Sequence, residues 1–135
     1  MNVLIDTSIW SLVLQRNKAL IQNEEIRKVV EDLIEEFRVK MIGPIRQEIL
    51  SGITNKGQFL KLREILQSFE DLTLATPDYE RAAEMFNICR KKGIQGNHVD
   101  FVICAAAERF QLSIFTLDAD FQNYAKHLPI RLFRA

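Results

Sequence analysis

The chain is 135 residues long, 47% hydrophobic and 27% charged, a size and balance that fit one folded domain over residues 1–135 and exclude a disordered or membrane class. Lys plus Arg and Asp plus Glu each total 18, so no net field draws the molecule to nucleic acid and any polyanion has to be held locally.

The N-terminus opens on the apolar run Asn2-Val3-Leu4-Ile5, and Asp6-Thr7-Ser8 behind it reads as a strand end followed by a helix start. Over residues 23–37, Ile26, Val29, Val30, Leu33, Ile34 and Phe37 recur at intervals of three and four, which predicts an amphipathic helix. Val39-Lys40-Met41-Ile42 is the second predicted strand, and Gly43-Pro44 starts a helix that carries Glu48 about one turn in and stops near Gly52. Phe59, Leu62, Leu66 and Phe69 form another helical stripe, followed by a predicted third strand, Leu72-Thr73-Leu74-Ala75. Thr76-Pro77 caps a helix over residues 78–92, with Ala82, Ala83, Phe86 and Cys89 on one side. A loop at 93–97 leads to a helix from Asn97 that is apolar on almost every side and so belongs at the centre of the fold. Ser113-Ile114-Phe115-Thr116 is the next strand, and a short helix over 119–126 and a last strand, Ile130-Arg131-Leu132-Phe133, close the chain. Strands alternating with helices predict a three-layer α/β/α sandwich on a parallel sheet.

The longest strongly apolar stretches, 1–5 and 99–107, fall short of the roughly 20 residues a spanning helix needs. No basic leader or cleavage site precedes Asp6, so a cytoplasmic protein without membrane contact is expected. Cys89 and Cys104 do not form a Cys-x-x-Cys motif and read as buried free thiols. Arg90-Lys91-Lys92, Lys56, Lys61 and Arg63, and Arg131 with Arg134 are the local cationic candidates, although solvated helix faces are the better account of such residues.

Asp6, Glu48, Asp100 and Asp118 each stand where a predicted strand ends or near where a predicted helix begins. Ligands of an open parallel sheet bind beyond the carboxyl ends of its strands, so acids at those ends converge. Each has a structural alternative. Asp6 and Asp118 fit helix caps, Glu48 a helix-surface acid and Asp100 the acid of a capping box opened by Asn97. Asp120 fits an acid at a helix's positive end and is the alternative to Asp118 as the fourth acid of the cluster. Clustered carboxylates repel unless they take up protons or a cation, and oxygen donors without a Cys or His cluster favour Mg²⁺ or Mn²⁺. His98 and His127 lack zinc spacing and stay outside the set, although His98 lies near enough to Asp100 to touch a substrate.

Val3-Leu4-Ile5-Asp6-Thr7-Ser8, Glu48-Ile49-Leu50-Ser51-Gly52, Asp100-Phe101-Val102-Ile103-Cys104-Ala105-Ala106-Ala107 and Thr116-Leu117-Asp118-Ala119-Asp120-Phe121, in this order, resemble the PIN domain family, in particular its small VapC-type toxin ribonucleases. The resemblance implies that Asp6, Glu48, Asp100 and Asp118 bind one or two Mg²⁺ or Mn²⁺ ions, supported by the hydroxyls of Thr7 and Thr116. It further implies hydrolysis of RNA phosphodiesters to leave a 5′-phosphate, a homodimer, and a small antitoxin partner. An RNA-processing nuclease without an antitoxin would use the same acids. A Mg²⁺-binding receiver module fits less well, because Asp6 is followed by Thr7-Ser8 rather than by a second acid, and the late strand ends in Leu117-Asp118 rather than in a lysine.

Overall fold

The computed structural model describes residues 1–14 and 21–135, with side chains from residue 23 onward in the second stretch. In chain order its elements are β1 (Val3–Ile5), α1 (Thr7–Leu14), α2 (Ile21–Glu35), β2 (Val39–Lys40), α3 (Gly43–Leu50) and α4 (Lys56–Leu66). They continue with α5 (Thr76–Lys91), α6 (His98–Phe110), β3 (Ser113–Phe115), α7 (Asp120–Ala125) and β4 (Arg131–Leu132).

The strands pair in the order β2-β1-β3-β4, every pair parallel, with Val3 opposite both Val39 and Ser113 and Ile5 opposite Phe115. Every residue of β1 and β3 is buried, which is the signature of a parallel sheet covered by helices on both faces, and the predicted α/β sandwich is the observed architecture. The core joins Val3, Leu4, Ile5 and Ile114 of the sheet to Ile45, Met85, Phe101, Ile103 and Cys104 of the helices. Helix α6 buries Phe101 and Ile103 to Ala107; its run of small alanines lets neighbouring backbones approach closely. Cys89 and Cys104 are free and buried, and burial raises both thiol pKa values. Among the described residues no helix is long and apolar enough to cross a membrane.

Two sequence expectations need correction. The predicted strand at residues 72–75 does not form. It makes one isolated bridge, Asp71 to Met41, with Leu72 N–H donating to the Met41 carbonyl at 2.8 Å. Beyond that, side chains claim the backbone: the Arg109 guanidinium donates to the Thr73 carbonyl at 3.4 Å, and the Ala75 N–H donates to Asp78 Oδ2 at 2.7 Å. Leu72 and Leu74 are still half-buried against the core, so the alternation that suggests a strand reflects packing without pairing. Phe37, which the spacing assigns to the apolar stripe of α2, is instead 87% exposed. It lies past the helix end at φ 58°, where Arg38 N–H returns to the Leu33 carbonyl and Phe37 N–H to that of Ile34. Those two bonds form a Schellman cap, which places Phe37 at the left-handed residue and turns it away from the core. The same pair of bonds closes α5 at Gly93, with φ 77°, and starts the loop that leads to α6.

Asp78 is 3% exposed and holds two partners, the Ala75 amide at 2.7 Å and the Arg109 guanidinium, so it ties the start of α5 to the end of α6. Asp78→Ala leaves the Ala75 amide and the half-exposed Arg109 guanidinium without their partner and is expected to lower unfolding free energy by about 1–3 kcal/mol, measured by urea denaturation.

Candidate functional site

The parallel register builds the site. Ile5 lies opposite Phe115, so the next residues, Asp6 and Thr116, emerge side by side at the carboxyl ends of the two central strands. Asp6 N–H donates to the Phe115 carbonyl at 2.9 Å, fixing the backbone there. The Asp6 carboxylate, 6% exposed, accepts from Thr116 Oγ1 at 2.8 Å and from Ser8 Oγ at 2.9 Å, both through Oδ2. It therefore does not cap α1 with its side chain; its backbone carbonyl receives the Ile9 and Trp10 amides instead. Ser8 Oγ also accepts from Leu117 N–H at 3.0 Å and Thr116 Oγ1 from Asp118 N–H at 2.9 Å, which fastens the turn after β3 to the start of α1.

Asp118 is half-buried and its Oδ1 accepts from Asp120 N–H at 2.9 Å, a local turn that holds the two carboxylates next to one another. Carboxylate oxygens of Asp100, Asp118 and Asp120 all lie within 4.8 Å of one another. Glu48, on α3, is exposed and accepts from Thr7 Oγ1 at 2.8 Å, so α1 and α3 are joined at the same end of the sheet. Of the sequence-derived set, then, Asp100 and Asp118 come together with Asp120, Asp6 is joined to the same turn through Thr116, and Glu48 is joined through Thr7.

Asp100 is the electrostatic centre. It stands in the first turn of α6, 8% exposed, and its backbone N–H is taken by the Asn97 side chain at 2.8 Å. Only half of the expected capping box forms, because the Asp100 carboxylate turns inward and accepts from the buried Tyr124 hydroxyl at 2.6 Å. Burial pushes its pKa up to about 6. The Tyr124 hydroxyl acts against that rise, and the negative charges of Asp118, Asp6 and Glu48 add to it. The other three sequence-selected acids therefore all act on Asp100. The Tyr124 hydroxyl is raised in turn by its own burial first, and by Asp100.

Sequence reasoning missed Tyr124 and read Ser8 only as part of a helix start. A signal for the tyrosine exists: Phe121 and Tyr124 share one face of α7 at a spacing of three, and a phenol buried there needs an acceptor. Gly96 makes room for it. A Cβ at Gly96 would overlap the Tyr124 hydroxyl and stand 2.8 Å from Tyr124 Cζ and 2.9 Å from Phe101 Cε2. His98 is not part of the acid cluster; its ring stacks on Phe86.

The donors suit a hard divalent cation. They are carboxylate oxygens, three of them drawn from Asp100, Asp118 and Asp120 within a span that modest side-chain rotation can close around one ion at about 2.1 Å per bond. Without such an ion, ionised Asp100 is a buried charge among like charges. Its folded pKa of about 6 exceeds the ordinary 3.8, so the folded state binds more protons between those values and loses stability as pH rises through that window. In the presence of EDTA, the stability difference between Asp100→Asn and the parent is therefore expected to move in favour of the variant by on the order of 2 kcal/mol from pH 4 to pH 7, read by thermal or urea unfolding.

A PIN domain family model matches residues 3–127. Among solved structures the chain is similar to FitAcB from Neisseria gonorrhoeae, at 21% identity and a TM-score of 0.77, covering 98% of this chain and 96% of that one. It is similar also to VapBC2 from Rickettsia felis bound to a DNA fragment from its promoter, at 18% identity and a TM-score of 0.77, covering 98% of each chain. PAE2754 from Pyrobaculum aerophilum matches at 15% identity and a TM-score of 0.58, over 91% of this chain and 85% of that one. No curated protein sequence gives a significant match. The receiver-module alternative has no such support. Since the family match runs from β1 through α7 and includes each acid of the crevice, the chain belongs to the PIN domain family.

Proposed function

We propose that this protein is a Mg²⁺- or Mn²⁺-dependent endoribonuclease, the toxin of a VapBC-type toxin-antitoxin pair. PIN membership implies nuclease activity, and the observation that supports metal dependence is the crowding of Asp118, Asp6 and Glu48 around the buried Asp100. A cleft of that charge repels an RNA phosphate unless a cation is bound.

In this reading Asp6, Asp100, Asp118 and Glu48 hold one or two ions, with Asp120 as a further ligand or the substitute for Asp118. Bound there, a divalent cation supplies an activated water and neutralises charge at the phosphorus. The protein's own part is orientation. Thr116 and Ser8 both bind Oδ2 of Asp6, Thr7 steadies Glu48, and Tyr124 holds Oδ2 of Asp100. Tyr124 also offsets part of the cost of ionising Asp100 in its buried position.

The antitoxin reading is supported by the solved neighbours named VapBC2 and FitAcB, and by an apolar groove of about 490 Å³ between α1, α3 and α4. Leu14, Ile49, Leu62 and Ile65 line that groove, which is suited to an amphipathic partner segment. A homodimer follows from the same family reading.

Incubation with a mixed pool of single-stranded RNA should give new ends, identified by sequencing, with Mn²⁺ and none with EDTA. Asp6→Asn and Asp100→Asn should each cut the rate by more than about 100-fold with the fold intact by circular dichroism; full activity in both variants rejects the proposal. Tyr124→Phe should weaken Mn²⁺ binding by about tenfold in calorimetry, a readout independent of turnover. Co-expression with the product of an adjacent small reading frame should suppress cleavage.

A further inference from the structure

Beside the acidic crevice, α5 and the start of α6 carry an arrangement that the metal site does not use. The His98 ring lies parallel to Phe86, centroids 5.3 Å apart with planes at 14°, and the Arg90 guanidinium carbon stands 5.9 Å from the centroid of the same Phe86 ring. His98 is exposed and Phe86 half-buried. Phe86 is braced from below by the edge of Phe101, 5.6 Å away at 75°, and Phe101 is only 1% exposed. Phe101 in turn packs on Tyr124 at 4.9 Å, the residue that holds Asp100. The outer stack and the acid cluster are thus linked through Phe101 and Tyr124. A cavity of about 360 Å³ opens beside the stack, with Tyr79, Phe86 and His98 in its wall, within the roughly 300–1,000 Å³ typical of ligand pockets.

Arg90 is the cation set against the stack. Arg90, Lys91 and Lys92 end α5, and among the described residues none of the three pairs with a carboxylate, whereas Arg81 and Arg109 on the same helix pair do. They lie just before the 93–97 loop that returns the chain to Asp100, in a molecule whose 18 basic and 18 acidic residues cancel overall. Parallel aromatic rings with one member open to solvent, a guanidinium against them and a chain of contacts through Phe101 and Tyr124 to Asp100 offer what a single nucleic acid strand requires: faces for its bases and charge for its phosphates.

We propose that Phe86 and His98, with Arg90, Lys91 and Lys92, form a base-stacking subsite that seats a nucleotide of single-stranded RNA flanking the phosphate to be cut. This rests on the ribonuclease reading above and extends it to how the strand is held. Stacking of this kind is sequence-tolerant, so the subsite selects unpaired strand over duplex rather than one base over another.

The test compares parent, His98→Ala and His98→Phe by fluorescence anisotropy with a labelled single-stranded RNA of mixed sequence, and by Mn²⁺-dependent cleavage of the same RNA. His98→Ala should raise the dissociation constant and KM by about tenfold with kcat within about twofold, and His98→Phe, which keeps the ring, should restore both. Lys91→Ala combined with Lys92→Ala should flatten the slope of log affinity against log salt by about 0.7 for each phosphate that the two lysines neutralise in the parent. Unchanged RNA affinity and KM in His98→Ala, with the parent cleaving normally, overturns the subsite and leaves the nuclease reading standing. A parent that neither binds nor cleaves RNA overturns that reading and the subsite with it. A changed oligomeric state in His98→Ala by light scattering, with RNA affinity unmoved, overturns the proposal in favour of a protein-protein contact.

Discussion

The pairing of β1 with β3 is the constraint on which the site depends. It joins residues about 110 positions apart, sets Ile5 against Phe115, and so obliges Asp6 and Thr116 to leave the sheet together at its carboxyl edge. Because side chains alternate along a strand, a slip of one residue in this register would turn Asp6 toward the opposite face and separate it from Thr116. Both strands are buried throughout, which penalises such a slip through every apolar residue at once. The hydroxyls of Ser8 and Thr116 then carry the order outward from the sheet into the loops, linking the first turn of α1 to the turn that holds Asp118 and Asp120.

Around that frame the molecule accumulates a charge it cannot neutralise internally. Surface ion pairs such as Lys28 with Asp32 satisfy acids elsewhere, and the buried Asp78 has Arg109, but the described residues around Asp100 offer hydroxyls and amides rather than a cation. A hydroxyl donor eases an ionised carboxylate without cancelling its charge. Burial first, and then the acids around it, therefore keep the pKa of Asp100 raised, at about 6. Arg90 and Lys91 close α5, the helix that packs against α6, and no carboxylate among the described residues pairs with them.

Much of this was legible in the chain. Strong periodicity marks α2, α4 and α5, and short apolar runs closed by an acid mark β1 and β3, because a buried strand and a helix start leave opposite traces in polarity. The acids stand out because each interrupts or ends an apolar run, where a solvated carboxylate has no reason to be. Other features were not legible because they depend on distant partners. Whether residues 72–75 form a strand is decided by Arg109 and Asp78, which take the backbone groups a neighbouring strand would need. Phe37 obeys the helical spacing, yet the helix unwinds one residue earlier through its cap. Tyr124 belongs to a helix of six residues, too short for periodicity to speak, and its role is set by an aspartate on another helix. Gly96 reads as one more loop glycine until the phenol beside it is seen.

The segment at 72–75 has one more consequence. A parallel sheet that stops at a ragged edge offers free amides and carbonyls to any extended peptide that drifts past, including another copy of itself. Here that margin is blunted: Thr73 and Ala75 already spend their polar groups on a guanidinium and a carboxylate from their own chain. At the far margin β4 is only two residues long and begins with an arginine. Both margins of the sheet thus offer a foreign strand few free backbone groups to pair with.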